Sequence, residues 1–499
     1  MRKLSAIICA LFMSIALSAY ADGCPTLLAT DFGAKADGQH IDSHAINKAL
    51  EAAAQRGGGT VRLTAGTYLC HSIRLQSNCT LLIDEDATIR AARNGEQGEY
   101  DAAEKADSIL YQDFGHSHWK NSLIWGIGLR NVRIAGKGLI DGTDALSSGH
   151  RRNLPATEAN KAISLKECVN VSIEGLTMLR CGHFAMLLTG VDSLTIDGVT
   201  ADTNRDGFDI DCCEHVTVRN CTVNTLNDDA IVLKCSYALG RMKPTANVLI
   251  ENCRVSGYDI GTLIDGTLQT KTEYAIDRDG PTGRVKLGTE SNSRFSNITI
   301  RNIEFRHCRG LALETVDGAL LENVTVEDIT MDDICNSPIY LRVGNRMRAP
   351  EGTPPSKMRN ISIRRLRATN CDSRYAILMV GLKGNSIENV TLEDIDIEFR
   401  GGLTYEDVTQ QRGANEFFTK RMKGYPEPSA HGIQTAWGMS LSFVSGIVCK
   451  NVNLHLMKPD ARPMIRTYDV QGDITGVTNT TIDETNTKIM TVDRPKKKN

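Results

Sequence analysis

Beyond its first 21 residues the chain has no apolar stretch long enough to cross a bilayer as a helix. It has no excess of charge of either sign, with 57 Lys and Arg against 60 Asp and Glu. A nucleic-acid partner, which needs a basic surface, is therefore not indicated. The C-terminal "RPKKKN" is short and reads as a solvated end. There is no compact cysteine framework and no paired C-x-x-C pattern among the 15 cysteines, so neither a disulfide scaffold nor a zinc module is expected. Most cysteines read as buried thiols, with a minority of bridges permitted by export. Helical crossovers between strands are lacking, which excludes a doubly wound sheet. Tight two-residue turns are lacking too, which excludes a hairpin sandwich.

What is present begins with a leader. Arg2 and Lys3 precede the apolar "LSAIICALFMSIALSA", and Ala19, Tyr20 and Ala21 form a small-x-small cleavage site. Residues 1–21 read as a secretory signal peptide. Cys24 would suit a lipoprotein, but Ala21 stands where that signal has leucine. The expected location is secreted or periplasmic, with residues 22–499 forming a single domain.

The mature chain repeats one phrase of the form N-V-x-I-x-N/D. It recurs as "LRNVRIAGKG", "CVNVSIEGLTM", "CEHVTVRNCTV", "FSNITIRNIEF", "LENVTVEDITM" and "IENVTLEDIDI", the closest copies 22 to 23 residues apart. Each copy is a short strand with alternating β-branched residues, ended by a polar or Gly turn. Strands at this period without helices predict an all-β fold, a single-stranded parallel β-helix in which each coil stacks on the last. "SHAINKALEAAAQRGG" predicts a short amphipathic helix capping the first coil. Five matches to the glycosylation pattern, at Asn170, Asn220, Asn297, Asn323 and Asn389, read as turns of the repeat.

The most informative stretch is "NRDGFDIDCCEHVTVRNCTVNTLNDDAIVLKC", residues 204–235. "NRDGFDID" and "NDDAIVLK" are offset by 23 residues, one coil. Phe208 then falls on Ile231 and Ile210 on Leu233, both pairs inward. Asp206 falls on Asp229, roughly 4.8 Å away across parallel strands. Successive strand residues point to opposite faces, which would bury either Asp228 or Asp229. The chain is therefore predicted to turn there, with both carboxylates facing a shared groove. His183, also 23 residues before Asp206, is placed in the same column, and Asp211 with Lys234 is read as a cross-strand ion pair. Three such carboxylates repel, so at least one holds a proton near neutral pH. A protonated acid beside ionised bases is what glycosidic cleavage needs.

These motifs, with Asn204 and Asn227 ahead of the aspartates, resemble glycoside hydrolase family 28, the polygalacturonase and rhamnogalacturonan hydrolase group. The resemblance extends from "ATDFGAKADGQHIDSHAINKAL" over nearly the whole mature chain. It implies a right-handed parallel β-helix, no metal or cofactor, and inversion at the anomeric centre. Asp228 would be the general acid, and Asp206 and Asp229 would hold and activate the water. An inverting acid and base are expected to stand roughly 6.5–9.5 Å apart. Two family motifs are missing. "GRVKLGTES" lacks the Gly-His-Gly histidine, and "RGLALETVDG" has Ala312 and Glu314 where cations should grip a galacturonate carboxylate. Lys286, one rung before Ala312, is the expected replacement, with Arg284 near it. The departure resembles a bacterial branch associated with rhamnogalacturonan, so a pectic polysaccharide of that kind is the expected substrate.

Lys286 reads as a substrate contact, as part of a solvated face or as a partner for Glu290. Glu290 and Glu314 divide between ion pairing and sugar contact, and His183 between orienting a carboxylate and touching the sugar. Residues 114–125 and 340–352 carry aromatic and basic side chains that would border the groove, Arg342, Arg346 and Arg348 among them. The insertion at 401–432 would be a lid or a packing flap. Two other readings stay open. One is a polysaccharide lyase, with calcium on the aspartates and Lys286 or Arg284 as base. The other is a non-catalytic carbohydrate-binding β-helix.

Overall fold

The computed structural model describes residues 25–105, 111–112, 114–143, 145–148, 158–270, 280–409, 424–479 and 489–491. The leader, Cys24 and the basic tail lie outside them. The described residues form a right-handed parallel β-helix of 33 strands, every strand pairing running parallel. No helix among them is long and apolar enough to cross a membrane.

One stack carries the groove. It runs through Ile124–Ile127, Lys161–Lys166, Phe184–Thr189, Asp206–Asp211, Ile231–Cys235, Val285–Ser291, Leu311–Thr315, Ile339–Val343 and Ile377–Val380. Alternate side chains of each strand stack inward. Met186, Phe208, Ile231 and Val285 form one file, and Leu188, Ile210, Leu233 and Leu287 the next, all buried. Each such side chain contributes roughly 1.5–3 kcal/mol on burial, which makes this interior the main source of stability. The buried cysteines other than Cys212 sit within it as free thiols, Cys181, Cys213 and Cys235 among them.

The asparagine of the repeated phrase has a defined task. Asn131, Asn170, Asn247, Asn297, Asn323, Asn360 and Asn389 all adopt the left-handed conformation, with φ between 54° and 59°. Asparagine tolerates this region better than other residues bearing a Cβ. Its side chain then bonds the asparagine of the neighbouring coil, as from Asn170 to Asn131 (2.7 Å) and from Asn389 to Asn360 (3.1 Å). The glycosylation matches at Asn170, Asn297, Asn323 and Asn389 are rungs of this ladder, and Asn220 bonds Asp197 (2.8 Å).

The helix Ser43–Gln55 buries Ala45, Ile46, Ala49, Leu50 and Ala53 against the first coil. It covers the open end of the solenoid, as its amphipathic pattern predicts.

Candidate active site

Gly207 follows Asp206 because nothing larger fits. A Cβ there would lie 2.3 Å from the Ala230 carbonyl oxygen of the next coil. The Gly207 amide donates to the Asp229 carbonyl (3.0 Å). The chain bends through Asn227–Ala230. The Thr225 hydroxyl (2.6 Å) and the Gly283 amide (3.0 Å) both donate to the Asp228 carbonyl, and the Asp229 amide donates to the Asp228 carboxylate (3.2 Å). The bend aims both side chains at Asp206. One oxygen from each of Asp206, Asp228 and Asp229 lies within 4.8 Å of the other two. Their exposures are 3%, 7% and 4%.

Cations differentiate the three. Arg205, the variable residue of N-x-D-G, bonds the Asp228 carboxylate. Arg284 Nε (2.8 Å) and Lys286 Nζ (3.3 Å) meet Asp229. Asp206 has no ion pair among the described residues. Its burial, then the charge of Asp228, pushes its carboxyl well above the usual aspartate range.

His183 is shifted by one residue from its expected column. Phe184, not His183, lies opposite Asp206, so His183 stands beside the coil of Arg205. Burial and the Arg205 charge hold its imidazole well below its ordinary value, and the ring packs against Phe184 (centroids 4.4 Å apart). Asn204 and Asn227 stack on each other, Nδ2 to Oδ1 at 2.6 Å, and Asn204 also reaches Ser148 (3.1 Å).

Lys234 does not pair with Asp211, although the two are in register. Lys234 Nζ turns to Asp209 (2.6 Å), His116 (2.6 Å) and Glu290 (3.5 Å). Asp211 instead accepts from the Ser236 amide (2.8 Å) and hydroxyl. Glu290 is likewise not the partner of Lys286. Three residues separate Leu287 from Ser291 where one separates Leu233 from Cys235. That bulge passes through Gly288 at φ 98°, where a Cβ would lie 2.8 Å from the Glu314 carbonyl oxygen. It carries Glu290 to Lys234, Arg346 (3.3 Å) and Arg348 (3.7 Å). Arg346 also binds Asp317.

Lys286 does pair with Ala312 across the coils, as the rung arithmetic predicts. However, Lys286 and Arg284 are each only 1% exposed and already compensated, so neither stands free to grip a substrate. Lys286 lies 3.6 Å from Glu314, and burial pushes the Glu314 carboxyl up to about 7. Arg284 forks onto Glu427, which also meets Arg309 (3.1 Å). Against its burial, these cations hold Glu427 at about 2.

Glu427 and Tyr425 come from the 401–432 insertion, whose residues 410–423 lie outside the described ones. Tyr425 hydroxyl is 3.4 Å from Lys286 Nζ, so this part of the insertion closes over the groove. Trp119 is buried, bonds Thr189 (3.0 Å) and offers no open platform. Buried Arg342 lies in register with Glu314, and its Nε has no hydrogen-bond partner among the described residues.

Sequence reasoning missed Arg205, Asp209, His116, Arg309, Tyr425 and Glu427. Arg205 and Asp209 lie inside the quoted motif, so alternation along the strand could have flagged Asp209 as groove-facing. The others come from distant segments: His116 lies in the 114–125 stretch and Tyr425 and Glu427 in the 401–432 insertion, both read as bordering or covering the groove, but nothing local singles out these residues or Arg309.

Residues 28–255 match a family model described as rhamnogalacturonase A/epimerase, pectate lyase-like. A probable polygalacturonase of Vitis vinifera is 26% identical over 44% of this chain, an alignment spanning 47% of the relative, about half its length. One of Arabidopsis thaliana is 23% identical over 74% of this chain and 77% of its own. The solved family 28 exopolygalacturonase of Yersinia enterocolitica superposes with a TM-score of 0.63 at 14% identity, over 92% of this chain and 79% of that one, a likeness of fold. In its stacked N-x-D-G and D-D coils and in its fold, the chain is similar to the polygalacturonase-related, glycoside hydrolase family 28-like β-helix proteins.

Proposed function

We propose that this protein is an exported glycoside hydrolase that cleaves galacturonic-acid linkages in pectin, with rhamnogalacturonan as its preferred backbone. The convergence of Asp206, Asp228 and Asp229 within 4.8 Å, with burial raising the Asp206 carboxyl, carries this reading. Asp228 is the general acid, and Asp206 and Asp229 hold the attacking water. The Asp228 charge helps raise the Asp206 carboxyl, and the two lie within 4.8 Å, close enough to pass a proton to Asp228 when a leaving oxygen arrives. Arg284 and Lys286 pair with Asp229, and place two cations beside the carboxylate that would act as base. A single domain from residue 22 and a cleaved leader before it complete the proposal.

One oxygen of each carboxylate lies within 4.8 Å of the others, against the roughly 6.5–9.5 Å expected between the carboxyl groups of an inverting pair. The water would then sit beside the acid rather than between the carboxyls. Proton NMR of the first-formed product tests this directly. Inversion agrees with the family resemblance, and retention would make Asp206 or Asp229 a nucleophile.

The same three carboxylates could bracket a cation, as a calcium-dependent lyase would need. Arg205, Arg284 and Lys286 already compensate them, which argues against that reading. Mass spectrometry of products from rhamnogalacturonan and homogalacturonan oligosaccharides, with and without chelator, separates the two. Products heavier by one water and indifferent to chelator support the hydrolase. Products of unchanged total mass, with a new double bond, overturn it.

A further inference from the structure

Glu427 sits where a ligand carboxylate would sit. It accepts from both Nη atoms of Arg284 and forms an ion pair with Arg309 (3.1 Å), with Lys286 Nζ at 3.9 Å. The side chains of these three cations are no more than 2% exposed. A water-poor cradle of guanidinium and ammonium groups is the chemistry that recognises a carboxylate on a sugar. Here the chain fills the cradle itself, from a residue 143 positions away from Arg284. The cradle adjoins the reacting centre, because Arg284 Nε and Lys286 Nζ also meet Asp229. Two residues before Glu427, Tyr425 is 48% exposed, with Lys286 Nζ 5.3 Å from its ring centroid. A half-exposed ring offers a stacking face for the apolar side of a sugar.

We propose that Glu427 is a specificity-determining residue which, by filling the Arg284–Lys286–Arg309 cradle, makes the subsite beside Asp229 one for an uncharged sugar and excludes a second uronate there. The proposal rests on the hydrolase reading and names its substrate class. A backbone in which uronates alternate with neutral sugars meets the requirement. A run of uronates would set a carboxylate against Glu427, a like-charge contact that discriminates by repulsion.

Calorimetric binding needs no turnover and so tests the cradle apart from catalysis. The ligands are trigalacturonate and its carboxyl-reduced, uncharged counterpart. The wild type should bind the uncharged trisaccharide more tightly. Glu427→Ala should reverse that order, with at least a tenfold gain for trigalacturonate that weakens as salt is raised. Glu427→Gln should shift the ratio in the same direction, and it carries the test if the alanine variant does not fold. Glu427→Asp should keep the wild-type order. A wild type that prefers trigalacturonate, or substitutions that leave the ratio unchanged, would overturn the proposal. Initial rates on alternating and uniform backbones are read in parallel. A shifted binding ratio without turnover on either backbone would end the hydrolase reading and leave the cradle standing. Turnover with an unchanged ratio would do the opposite.

Discussion

At the residue scale, a position one step along the chain decides chemistry. Asp228 and Asp229 are adjacent, yet Arg205 holds one and Arg284 with Lys286 the other. Asp228→Asn should lower turnover of a pectic backbone by about 10²–10⁴-fold, the usual worth of a positioned acid. The same variant should lose far less on a substrate with an activated aryl leaving group, which needs no proton. Asp229→Asn should fail on both, and initial rates on the two substrates make the comparison. Asp206 also predicts a stability effect. Its carboxyl is raised in the folded protein, so the native state keeps a proton that the unfolded chain has lost. Stability therefore falls as pH rises from about 4, the unfolded value, toward the raised one. Asp206→Asn removes this penalty. Its melting temperature should equal that of the wild type near pH 3 and exceed it increasingly toward pH 8, while activity is lost. A wild-type advantage at pH 8 would contradict the assignment.

At the element scale, each coil is held by an aliphatic file inside and an asparagine ladder at its corner. The two should differ in cost. Ile210→Ala opens the interior between Leu188 and Leu233 and should cost about 2–5 kcal/mol. Asn360→Ala loses side-chain bonds to Asn323 and Asn389 and places alanine at φ 57°, with an expected cost of about 1–3 kcal/mol. Denaturant titration of both variants would show the order. The bulge after Leu287 shows an element serving the site. It moves Glu290 away from Lys286 toward Lys234, a relocation that no count of 22 or 23 residues contains.

At the scale of the whole molecule, the solenoid provides a long face, and Tyr425 and Glu427 of the insertion lie against part of it. The ion pair from Arg284 to Glu427 joins a coil to a segment several coils further on. The fold was almost fully legible beforehand, because a parallel stack repeats its pattern in sequence. The inward files, the Asp206–Asp229 offset, the turn at Asp228 and the capping helix all follow from local spacing. His183 was misplaced by one residue because the coil before Asp206 has a period of 22, not 23. Lys234 was given the wrong partner because its long side chain leans along the strand to Asp209 rather than straight across to Asp211.

The sequence by itself determined the β-helix, its register over most coils and the meeting of three aspartates. Those depend on alternation and period, which are properties of neighbouring residues. The tertiary structure alone decided how those aspartates are charged and which cations remain for a substrate. Burial and the approach of Arg205, Arg284, Lys286 and Glu427 set the electrostatics there, and these long-range contacts exist only once the coils are stacked and Tyr425 and Glu427 lie against them.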